Sequence, residues 1–135
     1  MTEQYLNQYL GFVDAVTSDA SKSKEAFIAR IEELYEQGCD VSRLNTAAAG
    51  LSAEAGEFQE IVKKIMFQGK PYNADNVFHM KRELGDVMWY FAQACMALNL
   101  DPYEIVDENI RKLEARYPGG KFEIARSEVR KEGDL

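Results

Sequence analysis

Proline, cysteine, histidine and positive charge are all scarce in this chain of 135 residues, which holds three prolines, two cysteines and one histidine. So few prolines leave long stretches free to be helical. Cys39 and Cys95 cannot build a disulfide framework and show no metal-ligand spacing, so both read as reduced thiols, Cys95 within the core. Long apolar runs are missing too. The richest stretches, 44–55 and 87–100, are too short or too polar to cross a bilayer, so no membrane span is expected. The opening residues, Met1-Thr2-Glu3-Gln4, lack the basic-then-apolar pattern of a secretory leader, and a cytoplasmic location is the expectation. Lys and Arg number 16 against 23 Asp and Glu, for a net charge of −7, which argues against a protein that wraps duplex nucleic acid. A divalent cation can still join an acidic protein to a polyanion.

What is present is the composition of a folded domain, 46% apolar and 11% aromatic. The apolar period is near that of a helix almost everywhere, with no alternating stretch. A first helix is expected over 2–16, with Tyr5, Leu6, Tyr9, Phe12, Val13 and Val16 on one face. A second runs to 37 and stops at Gly38. A third runs from a Ser42 cap to about 68, before Gly69-Lys70-Pro71. Asn73 or Asp75 can cap the fourth, which reaches 99. Asp101-Pro102-Tyr103-Glu104 then restarts the chain with Asp at N-cap and Pro at N1, for a fifth helix ending at 116 or 117. The pattern predicts an all-α fold, an antiparallel bundle of about five helices forming one domain over 1–120, with a charged tail, extended or partly helical, over 121–135. Its apolar surface exceeds what a small monomer needs, which points to self-association.

The informative residues lie on the third and fourth helices. Glu54 and Glu57 are three apart, as are Glu83 and Asp86, so each pair shares a helix face. With ~100° per residue and Leu51 as zero, Leu51, Ala55, Phe58, Ile61, Val62 and Ile65 form one stripe. Glu54 falls inside that stripe and Glu57 at its border, while Glu60 points to solvent. On the fourth helix Val87, Met88, Phe91, Ala94, Cys95 and Leu98 make the predicted apolar stripe. Glu83, Tyr90, Asp86 and His79 run along its edge, and Trp89 faces away. Gly56 and Gly85, inside the two pairs, cost about 1 kcal/mol each in helix propensity, which close approach of the two helices would offset.

Converging half-buried carboxylates repel one another and need cations. Lys64 can pair with Glu57, but neither Lys63 nor Lys64 points toward Glu54. A hard divalent metal with oxygen ligands answers the arrangement, Mg²⁺ or Mn²⁺ rather than Zn²⁺. A solvated acidic face pairing with a basic partner, in a non-catalytic helical interaction module, is the competing reading. On the fifth helix Asn109, Lys112 and Arg116 share a polar face that the residues alone read as a solvated helix edge, while Val106, Ile110, Leu113 and Tyr117 are expected to pack inward.

The run Gly50-Leu51-Ser52-Ala53-Glu54-Ala55-Gly56-Glu57, then Glu83-Leu84-Gly85-Asp86-Val87, then Asn109-Ile110-Arg111-Lys112-Leu113-Glu114-Ala115-Arg116-Tyr117-Pro118, resembles the MazG-like nucleotide pyrophosphohydrolases. The resemblance covers residues 43–122 and extends toward 130–135. Ala53 stands where the family pattern has a further glutamate, so only Glu54 and Glu57 carry over from the first element. The resemblance implies an all-α enzyme that splits a (d)NTP into (d)NMP and pyrophosphate with Mg²⁺. It implies Glu54, Glu57, Glu83 and Asp86 as metal-binding and catalytic residues, with Glu54 as general base. Asn109, Lys112, Arg116, Tyr90 and Lys64 become candidates for holding the substrate, and a homodimer or homotetramer is expected. A specialised relative acting on dUTP, dCTP or phosphoribosyl-ATP fits the same motifs.

Overall fold

The computed structural model describes residues 2–129 and 132. The 130–135 end of the resemblance therefore lies outside the described residues, apart from Glu132. Among the described residues there are six α-helices and no strand: α1 (Glu3–Ala15), α2 (Lys24–Glu36), α3 (Val41–Phe67), α4 (Ala74–Leu98), α5 (Pro102–Arg116) and the short α6 (Ile124–Glu128). A 3-10 turn, Asp19–Ser21, precedes α2. The fold is all-α, as the apolar period predicts. The tail is partly helical through α6, which Glu123 braces by pairing with Arg126 at 3.0 Å. No helix of the described residues is long and apolar enough to cross a membrane.

Local chemistry explains the boundaries. Thr2, Ser23, Asn73 and Asp101 cap α1, α2, α4 and α5, each accepting from a backbone N–H in the first turn. Pro102 opens α5, where its missing N–H costs nothing. Gly38, at φ +83°, closes α2. Its N–H donates to the Tyr35 carbonyl at 3.0 Å, and that of Cys39 to the Leu34 carbonyl at 2.9 Å. Asn99, at φ 53°, plays the same part after α4. Ser42 is not the cap of α3. The helix begins one residue earlier, and the Ser42 hydroxyl and N–H both engage the Tyr35 hydroxyl, at 2.6 and 3.0 Å.

The chain divides into two compact units, Met1–Ser42 and Arg43–Leu135. In the first, Lys22 Nζ donates to the Asp14 carbonyl at 2.7 Å, tying the inter-helix turn to the end of α1. None of its described residues is buried, and the predicted apolar face of α1 is exposed.

The second unit carries the residues of interest. Here α3 and α4 form an antiparallel hairpin: Arg43 donates to Gln93 at 2.8 Å, Gly50 lies against Tyr90, and Glu54 and Glu57 approach Glu83. The buried residues of the hairpin are Ala47, Gly50, Ile61, Glu83 and Cys95. Close approach occurs at Gly50, where an added Cβ would lie 2.1 Å from the Tyr90 ring. It does not occur at Gly56 or Gly85, where such a Cβ meets nothing.

The covered face of α4 is rotated from the predicted stripe. Glu83, Val87, Tyr90, Phe91, Ala94 and Cys95 are buried or half-buried, whereas Leu84, Met88 and Leu98 are exposed. Of the strip placed at the edge, Glu83 and Tyr90 lie on the covered face, while His79 and Asp86 are exposed. On α5 the reversal recurs. Val106, Ile110 and Leu113 are exposed rather than packed inward, while Ile105, Lys112, Arg116 and Tyr117 are half-buried.

Candidate metal centre

Glu54 and Glu57 project from the middle of α3 and Glu83 from the middle of α4, and the antiparallel register sets them opposite one another. One carboxylate oxygen from each lies within 4.8 Å of the others. Burial grades across the group: Glu83 is 8% exposed, Glu54 half-buried, Glu57 and Asp86 exposed. The wheel of α3 places Glu54 deepest; the structure gives that place to Glu83. The difference arises because Leu84, Met88 and Leu98 of α4 face outward, so the covered face is rotated toward Glu83.

Burying a carboxylate disfavours its charged form, and so do neighbouring carboxylates. Both operate on Glu54. Partial desolvation first, then the charges of Glu57, Asp86 and Glu83, hold its carboxyl above the ordinary range. Asp86 thus stands close enough to act on Glu54, although it is outside the tight group of three. Glu83 has a divided environment. Its Oε1 lies 3.2 Å from His79 Nε2, while Oε2 is buried with no hydrogen-bond partner.

An orphaned, buried carboxylate oxygen beside two further carboxylates is costly in an apo protein and suits a cation. Bonds of ~2.1 Å from Mg²⁺ to oxygen set ligand oxygens at most about 4.2 Å apart, the same scale as the observed group. The all-oxygen donor set fits Mg²⁺ or Mn²⁺. The residues present fit a hard divalent cation.

The remaining predicted residues are placed as follows. Lys64 pairs with Glu60 at 3.2 Å rather than with Glu57, and its charge and hydrogen bond hold the Glu60 carboxyl below the usual range. Tyr90 is half-buried, its ring over Gly50 and edge-to-face with Trp89 at 4.8 Å between centroids. Lys112 and Arg116 on α5 are half-buried and Asn109 is exposed. His79 is the residue that motif spacing did not single out. Its signal was position, one turn before Glu83 on the same strip. At the end of α5, Ile110, Leu113, Tyr117 and Phe122 line an open apolar recess of about 300 Å³.

Residues 42–120 match the family model described as MazG nucleotide pyrophosphohydrolase domain. The Gene 37 protein of Mycobacterium phage L5 is 36% identical over 84 residues, covering 61% of this chain and 74% of that protein. No solved structure matches the chain.

Proposed function

The chain belongs to the MazG nucleotide pyrophosphohydrolase family, and from that premise we propose that it hydrolyses nucleoside triphosphates, (d)NTP to (d)NMP plus pyrophosphate, at the α3–α4 carboxylates. The observation that carries this reading is Glu83, buried at the meeting of three carboxylates with Oε2 unpartnered.

Glu54, Glu57, Glu83 and Asp86 would hold Mg²⁺, with Mn²⁺ as a substitute. When bound, such a cation neutralises phosphate charge and makes water more acidic. The protein's own groups supply position and proton transfer. Glu54, half-buried and with its carboxyl held above the ordinary range, accepts the proton of the attacking water as general base. Lys112 and Arg116 contact the phosphate oxygens, with Asn109 as a further donor. Their partial burial strengthens such charge-assisted bonds. Tyr90 borders the nucleotide, its ring fixed by Gly50. Lys64 is held by Glu60 and reaches substrate only by giving up that pair.

The enzyme is a homodimer or homotetramer in this reading. Support comes from Leu84, Met88 and Trp89 on α4 and Val106, Ile110 and Leu113 on α5, large apolar side chains that are all exposed.

The test is to incubate the protein with each (d)NTP, including dUTP and dCTP, and with phosphoribosyl-ATP, in Mg²⁺, and to resolve the products. Monophosphate and pyrophosphate, abolished by a chelator, are expected. Diphosphate and orthophosphate, or no turnover on any nucleotide, would overturn the reading.

A further inference from the structure

The two oxygens of Glu83 are treated differently by the protein. Oε1 lies 3.2 Å from Nε2 of His79, one helical turn earlier. Oε2 is buried and has no partner. The imidazole itself is about half exposed while the Glu83 side chain is 10% exposed, so His79 reaches in from the surface to grip a carboxylate it does not need for its own burial. An unbraced glutamate has three side-chain torsions to order, and ordering them costs free energy each time a ligand binds. A contact that holds one oxygen fixes those torsions beforehand.

We propose that His79 is the positioning residue of the cation site: its contact with Glu83 Oε1 holds the Glu83 side chain beside Glu54 and Glu57, ready for a divalent cation. This rests on the reading of the acidic group as a cation site. It adds a residue outside the acidic motif whose effect runs entirely through Glu83. Partners that brace metal-ligating groups typically contribute 10- to 100-fold in metal affinity.

The experiment titrates Mn²⁺ alone into the full chain and follows binding by calorimetry, with no nucleotide present. His79→Leu removes the donor. His79→Gln restores one at similar reach, in the i to i+4 geometry that glutamine and a carboxylate share on a helix. The expected result is an affinity lowered ~10-fold or more in His79→Leu and recovered to within roughly threefold of the parent in His79→Gln. Loss of packing alone would not be repaired by glutamine. Equal affinity in the parent and His79→Leu, or no recovery in His79→Gln, overturns the role of His79 while leaving the cation site standing. Failure of the parent protein to bind Mn²⁺ overturns the site itself and this inference with it.

Discussion

The two faces of α4 invert the usual distribution of residues. The covered face holds a glutamate 8% exposed, while the outer face shows Met88 and Trp89 at 61% and 55% exposure. A fold that optimised only its own stability would exchange them. A buried carboxylate without full pairing disfavours folding, and exposed methionine and tryptophan forgo the gain of burial. In the proposed reading the covered face receives a charged ligand and the outer face another protein surface. On α5 the same division holds, with Lys112 and Arg116 on the more covered side and Ile110 and Leu113 outward.

Breaking the covered face should have the largest effect. Glu83→Gln keeps a side-chain oxygen near His79 but removes the charge. Turnover should fall roughly 10³-fold, about 4 kcal/mol in the barrier, with helical content unchanged by circular dichroism. Breaking the outer face comes next. Met88→Asp together with Ile110→Asp should weaken self-association ~100-fold, about 2.7 kcal/mol, read as monomer in sedimentation equilibrium. Unchanged assembly would show that this surface is not the interface.

The contact between α3 and α4 is tested by Gly50→Ala, which forces a Cβ into the Tyr90 ring. Denaturant melts should show a loss of about 1–3 kcal/mol, and most of that loss should vanish in a Tyr90→Ala background. The smallest effect has the opposite sign. Gly85 and Gly56 have open space at Cβ and helical backbone, so alanine at either should stabilise by roughly 0.5–1 kcal/mol.

Helix positions and the ends at Gly38 and Asp101 were legible in the sequence because they depend on local chemistry, and the spacing singled out Glu54, Glu57 and Glu83, which the fold brings together. What was not legible follows from a single cause. A helical wheel finds the centre of an apolar stripe and assumes that the whole stripe is covered. On α4, Leu84 and Met88 belong to the stripe yet face outward, so the centre was misplaced and Glu83 was assigned to the edge. The close-approach glycine was missed for a related reason. Gly50 is revealed only by the ring opposite it, and that needs the register between α3 and α4. Lys64 went to Glu60 because a residue four away on the same helix is an easier partner than one seven away.

The central claim is that the carboxylates of α3 and α4 are held together for a cation at a cost to the empty protein. Thermal melting of the parent and of Glu83→Gln, each with and without Mg²⁺, tests it directly. Without Mg²⁺, Glu83→Gln should melt at or above the parent, since it relieves repulsion and the burial of a charge. Saturating Mg²⁺ should raise the parent by roughly 5–10 °C and Glu83→Gln far less. A parent that does not respond to Mg²⁺, with a variant that melts lower than it in the absence of the ion, would contradict the account.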